Sequence, residues 1–133
     1  MKTKSNSRRR SPARNKRPPL RRLRIRNISS IKDLKFDKNG LIPAIAQDEK
    51  TKDVLMVAYM NKRSLQKTIA TGLATYWSRS RQCLWLKGDT SGHFQVVKKI
   101  YFDCDRDTLL LCIKQIGVAC HTGKWSCFHT RMV

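Results

Sequence analysis

Three of the chain's nine acidic residues fall within five positions, Asp103-Cys104-Asp105-Arg106-Asp107. On extended backbone these carboxylates, at i, i+2 and i+4, share one face and Cys104 takes the other. A tight loop would instead converge all three acids, as in calcium-loop geometry. In either arrangement the carboxylates repel one another, with only Arg106 adjacent. A hard cation such as Mg²⁺, bound by oxygen ligands, would relieve that repulsion. The alternative is a solvated acidic turn after a strand. So much of the acid of a basic protein in one place favours the metal.

A second group is thiol-based: Cys104, Cys120 and Cys127, with His121 adjoining one of them. The strings Cys120-His121-Thr122-Gly123 and Ser126-Cys127-Phe128-His129 set soft ligands on either side of a glycine-containing loop. Three thiolates on Zn²⁺ with a fourth position for water describe a catalytic site; His121 as fourth ligand would make a closed, structural one. Both stay open. Cys112, inside the apolar run Leu109–Ile113, reads as a small buried hydrophobe, and Cys83 is unassigned. Three thiolates leave the zinc site at net −1, a weaker Lewis acid than one held by histidines. Its water would then benefit from a nearby general base. His121 is the first candidate, since it adjoins a ligand and an imidazole titrates near neutrality. His93 is the second.

Ser78-Arg79-Ser80-Arg81 and Lys87-Gly88-Asp89-Thr90-Ser91-Gly92-His93 form a third group. Arginine forks, hydroxyls and glycine-rich backbone suit phosphate oxygens, although the P-loop spacing is absent. By itself this is an ordinary basic loop. Beside a Mg²⁺ site it reads as an anionic-substrate cradle, with Arg79, Arg81, Lys87, Ser91 and His93 as its binding side chains.

The elements that must position these groups are mostly strands. Ile42–Gln47 and Val54–Met60 are predicted as a hairpin around the polar turn Gln47–Asp53. Asn61 is a good N-cap, Leu65 and Ile69 share a face, and Gly72 is a stop, so one short helix follows. Ala74–Ser78 and Cys83–Leu86 are short β runs, and residues 88–92 form a loop. Phe94–Cys104 and Thr108–Gln115 are further strands, and Gly117 opens the Cys/His-rich end. The predicted class is α+β, mainly β: a curved sheet with one or two short helices and no internal repeat.

Charge divides the chain. Residues 1–26 carry 12 Lys/Arg and no acid, while the remaining 107 carry 17 basic against 9 acidic residues. We therefore expect a disordered basic arm over 1–30 and one domain over 31–133, the arm being too poor in apolar groups to offset its ordering entropy. It reads as a solvated tail, as a contact for RNA or another polyanion, or as an organelle transit peptide. Against the last, Pro12, Pro18 and Pro19 would interrupt an amphipathic helix. The arm has no interleaved aromatics to stack bases, which weakens specific recognition. The longest apolar runs, Val54–Met60 and Leu109–Ile113, fall far short of the ~20 residues that span a bilayer. No apolar h-region follows the arginines, so a secretory signal is not expected. Five cysteines, an odd number, argue for thiols in a reducing compartment, free or on metal. A domain of ~100 residues buries a core, and a dimer interface would help it.

The strings YWSRSRQCLWLKGDTSGH, DCDRD and ACHTGKWSCF, in this order, resemble the phosphoribosyl-AMP cyclohydrolase family, which acts at the third step of histidine biosynthesis. The similarity covers about residues 36–129. It implies a homodimer with a mixed, partly barrel-like sheet and active sites at the subunit interface. It also implies hydrolysis of the N1–C6 bond of the adenine ring of phosphoribosyl-AMP, giving the formimino-carboxamide ribonucleotide. By motif matching, Cys104, Cys120 and Cys127 are the zinc ligands, Cys104 from one subunit and the other two from its partner. Asp103, Asp105 and Asp107 match the Mg²⁺ carboxylates. The implied mechanism has zinc-activated water, helped by His121, attacking C6, with Mg²⁺, Arg79, Arg81 and Lys87 on the substrate phosphates. Asp89 stands where the family has Glu, a shortening by one methylene that keeps the charge. The basic arm lies outside the family pattern. With Val133 just after the last motif, the preceding pyrophosphohydrolase step is expected on a separate protein. Cytoplasm is the expected location, or an organelle interior if residues 1–30 are a transit peptide.

Other functions fit less well. A cytidine-deaminase-like hydrolase needs a Glu beside a metal His and a CxxC pair, whereas Glu49 is the sole Glu and no CxxC occurs. A non-enzymatic zinc module binding RNA through its arm would have a closed four-ligand site and salt-sensitive binding. The complete ligand set speaks against a degenerate, inactive cyclohydrolase.

Overall fold

The computed structural model describes residues 16–133. Buried and half-buried residues alternate along Ile42–Asp48 (β1), with Ile42, Ala44 and Ala46 on the buried face. Asp48 ends the strand and turns the chain, its carboxylate accepting the N–H groups of Lys50 (3.1 Å) and Thr51 (2.9 Å). Val54–Met60 (β2) returns antiparallel to β1, completing the expected hairpin. Asn61 caps the helix Lys62–Thr71 (α1) through a reciprocal pair, its Oδ1 accepting the Ser64 N–H at 2.8 Å while Ser64 Oγ accepts the Asn61 N–H at 2.9 Å. Leu65 is buried and Ile69 packs on the core, as their spacing predicts, and Gly72 closes the helix in the left-handed conformation.

Thr75–Ser78 (β3), Cys83–Leu86 (β4), Gln95–Phe102 (β5) and Leu109–Gln115 (β6) complete one six-stranded sheet in the order β4-β3-β2-β1-β6-β5. Every neighbouring pair is antiparallel except β1 and β6, which run parallel with Ala44 opposite Leu109 and Asp48 opposite Ile113. The far edge of β5 curls back onto the chain entering β3. Val97 N–H donates to Gly72 O (2.8 Å), and Ala74 N–H donates to Gln95 O (3.0 Å). The sheet is thus a mixed half-barrel with one α-helix, in agreement with the expected class. Ile42, Leu55, Met60, Leu65, Tyr76, Leu109, Leu111 and Ile113 fill its concave side.

Beyond one-residue shifts at the ends of β1, β3, β5 and β6, two boundaries differ from the sequence reading. β5 stops at Phe102, so Asp103 and Cys104 belong to a turn. There Arg106 N–H donates to Asp103 O (3.0 Å) and Asp103 N–H donates to Thr108 O (3.1 Å), with Arg106 in the left-handed region. The second concerns the basic arm. Residues 1–15 lie outside the described residues, but the following stretch, expected as free chain, lies against the fold. Arg21 N–H donates to Thr71 O (2.8 Å), Leu23 N–H donates to Ile69 O (2.7 Å), and Leu23 and Ile28 pack on the core. Two apolar side chains, two backbone hydrogen bonds and an exposed Arg17–Asp89 ion pair (3.3 Å) hold this strap. Among the described residues no helix is long and apolar enough to cross a membrane.

Candidate active site

After β6 the chain folds into a loop whose own backbone sets the thiols in place. Ala119 N–H donates to Trp125 O (3.1 Å), Cys120 N–H to Lys124 O (3.1 Å), and Gly123 N–H to Cys120 O (3.0 Å). The loop is tied to the start of β2 by Cys127 N–H on Leu55 O (2.8 Å) and by Ser126 Oγ on Val54 O (2.7 Å). The Cys120 and Cys127 thiols are close enough to influence each other's titration and are chemically unequal. Thr122 Oγ1, 3.0 Å from Cys120 Sγ, holds that thiol below its usual range, with help from Cys127 and the charge of Lys87. Burial pushes the Cys127 thiol up, and its contact with Cys120 adds to this.

A cleft of about 380 Å³ opens beside the pair, lined by Arg81, Lys87, Ser91, His93, Cys120 and His121 among others. Ser91 Oγ accepts the His93 N–H (3.1 Å), which folds the 88–92 loop over the cleft. A larger groove of about 730 Å³, between the strap and β5, carries none of the candidate catalytic, substrate-binding or metal residues.

Two expected substrate-binding residues are engaged differently from the sequence reading. Lys87 is only 9% exposed, and its ammonium donates to the Ala119 carbonyl, facing the two thiols rather than open solvent. Burial lowers its pKa, and the charges of Cys127 and Cys120 act the other way. Arg79 is outside the cleft lining; its guanidinium lies 4.0 Å from the centroid of the Tyr59 ring.

The three carboxylates do converge. Asp103, Asp105 and Asp107 each offer an oxygen within 4.8 Å of the others, the tight-loop alternative rather than an extended face. Burial acts to raise the Asp103 carboxyl, but the donors of Asp107 and Thr108 outweigh it and the net shift is down. Asp107 is pushed up, first by its hydrogen bond with Asp103 and then by desolvation and the Asp103 and Asp105 charges. Among the described residues no other three Cys, His, Asp or Glu side chains come this close.

Cys104 is therefore not with the other two cysteines. It is exposed in the β5–β6 turn, at the end of the sheet where Ala44 faces Leu109. The Cys120–Cys127 loop is anchored at Val54 and Leu55, beside Met56 and Gln47 at the opposite end of the same sheet. Ala44 and Gln47 stand three residues apart on β1, about 10 Å along the strand, and Cys104 lies in the turn beyond Leu109.

What the sequence reading missed is a buried polar chain behind the cleft. The Tyr76 hydroxyl donates to Gln95 Oε1 (2.6 Å), and Gln95 Nε2 donates to Gln115 Oε1 (2.9 Å). Burial raises the Tyr76 phenol far out of the neutral range, so it stays protonated as a donor. The available signal was a glutamine at the start of β5 and another at the end of β6, each on the strand's buried face.

The family model described as phosphoribosyl-AMP cyclohydrolase matches residues 56–129. The chain is 58% identical over 99 residues to phosphoribosyl-AMP cyclohydrolase of Cereibacter sphaeroides, covering 74% of this chain and 83% of that one. It is 62% identical over 96 residues to the protein of the same name from Methanococcoides burtonii, covering 72% of this chain and 79% of that one. A histidine biosynthesis bifunctional protein of Thermoanaerobacter pseudethanolicus is 60% identical over 99 residues, 74% of this chain but only 46% of that longer protein. The chain belongs to the phosphoribosyl-AMP cyclohydrolase family.

Proposed function

We propose that this chain hydrolyses the N1–C6 bond of the adenine ring of phosphoribosyl-AMP at a zinc site shared between two subunits. Family membership makes it a hydrolase of histidine biosynthesis. The observation that carries the finer reading is Cys120, paired with Cys127 and lining the same cleft as His121, Ser91 and His93. Cys104 of a second copy would complete the set, which suits its distance from the pair in one chain. The donor chemistry fits zinc: two adjacent thiols, one already biased toward thiolate, with the Lys87 ammonium as a fixed counter-charge. The carboxylate trio fits a hard cation such as Mg²⁺, whose charge would offset their repulsion.

When bound, zinc supplies the Lewis acidity that makes water nucleophilic near neutral pH. The chain's own residues do the rest. His121, exposed at the rim next to Cys120, accepts the proton of the attacking water. Arg81, Ser91 and His93 hold the anionic substrate across the cleft mouth, while Lys87 serves the thiolates. With all five cysteines free, the protein suits a reducing compartment, and we assign it to the cytoplasm.

The test is absorbance-monitored turnover of phosphoribosyl-AMP by purified protein, with zinc content measured on the same sample. Turnover with about one zinc per chain is expected, and Cys127→Ala should lose both. Full turnover by a zinc-loaded Cys127→Ala protein would rule out the thiol assignment.

A further inference from the structure

Two glycines from different loops close on His93. Gly88, at φ +96°, lies against its main chain: a Cβ there would meet Phe94 N at 2.5 Å and the His93 carbonyl carbon at 2.6 Å. Gly117, at φ +67°, lies against its ring: a Cβ there would collide with Cδ2 and stand 2.6 Å from Cγ and 2.7 Å from Nε2. Real Cβ atoms do not approach that closely, so neither position accepts a side chain while His93 stays where it is. Gly117 thus lies against the Cγ, Cδ2 and Nε2 side of the ring, and Nδ1 is not among the atoms it approaches most closely.

The same segment is braced from behind. Gln115 Nε2 donates to Ile116 O (2.9 Å) and reaches His93 O (3.3 Å) and Phe94 O (3.4 Å). Gln115 is itself fixed by the buried Gln95, and Gln95 by Tyr76. Ile116 N–H donates to Phe94 O at 2.9 Å, so the chain before Gly117 and the chain after His93 are tied together.

We infer that Gly117 and Gly88 form a two-sided seat that aims the Nδ1 edge of His93 into the cleft, making Gly117 a positioning residue for substrate binding. The inference rests on the proposed reading of His93 as a substrate contact. The ligand class it implies is an anionic nucleotide, met by an N–H donor at the Nδ1 position.

Steady-state kinetics of the zinc-loaded enzyme on phosphoribosyl-AMP test this, with zinc content and melting temperature followed for each variant. His93→Ala should raise KM roughly tenfold and leave kcat within about twofold, the loss of one hydrogen bond to a charged group. Gly117→Ala should reproduce that KM, and His93→Ala/Gly117→Ala should be no worse than His93→Ala alone, because both changes remove one interaction. Asn carries its amide where Nδ1 sits and Gln carries it where Nε2 sits. His93→Asn should therefore stay near the parent KM, and His93→Gln should match His93→Ala. Additive effects of Gly117→Ala and His93→Ala, or a Gly117→Ala enzyme with parent KM, would overturn the seat. A parent KM in His93→Ala would instead overturn the substrate-contact reading beneath it. Should Gly117→Ala lose zinc or fail to fold, the Asn and Gln variants decide alone: equal KM values for the two would overturn the proposed orientation.

Discussion

At the scale of single residues the site is a set of unequal pairs. Cys120 favours thiolate and Cys127 resists it; Asp103 is held charged and Asp107 is pushed toward its neutral form. In both cases neighbouring like groups compete for one negative charge, a situation a bound cation reverses. His121 stands outside these pairs, exposed beside Cys120. Its replacement separates the two readings of the zinc site. His121→Ala should lower kcat by about two to four orders of magnitude with zinc content unchanged, as removal of a general base does. Loss of zinc from the same variant would make His121 the fourth ligand of a closed site.

Among the elements, β1 and its following turn depend on one carboxylate. Burial on its own raises the Asp48 pKa, but the N–H and hydroxyl of Thr51, with Lys50, outweigh it and the net shift is down. A depressed folded pKa contributes stability above the ordinary carboxylate range, and that contribution is lost as pH falls through the folded value. Asp48→Asn should cost roughly 1–2 kcal/mol at pH 7, and urea unfolding should show the difference from the parent shrinking below about pH 4. The cap of α1 gives a second check. Asn61→Ala should cost about 1 kcal/mol, visible as a melting point about 4–8 °C lower. These elements were legible in the sequence to within a residue or two, since alternation, Asn61 and Gly72 are local signals. The strap at Leu23 and Ile28 was not legible, because two apolar residues are hidden among arginines and their partners lie more than forty residues away. The site divides the same way. The thiols and carboxylates were found by type and spacing. The burial of Lys87 and the stacking of Arg79 on Tyr59 were missed, because a sequence displays a charge but not what it faces.

For the whole molecule, opposite ends of one sheet carry Cys104 and the Cys120–Cys127 pair, which makes subunit sharing a quantitative matter. In a two-fold dimer each site would take Cys104 from one chain and the pair from the other. Inactive Cys104→Ala and inactive Cys120→Ala proteins, unfolded and refolded together, should form heterodimers in which one of two sites is intact. A random mixture would regain roughly a quarter of parental activity; no recovery would reject the shared site. The strap belongs to this scale too. A chain starting at Ser30 should melt several degrees below one starting at Lys16, since it loses the packing of Leu23 and Ile28. The parallel pairing of β1 with β6 has a temporal consequence. β1 sits in the interior of the sheet, yet one of its sides waits for a partner that begins only at Leu109. At ordinary synthesis rates of ~5–20 residues per second, several seconds pass between the emergence of β1 and that of β6. During that interval the nascent chain presents an unpaired hydrophobic strand edge, so the newborn protein's need for chaperone protection is set by strand order rather than by its finished surface.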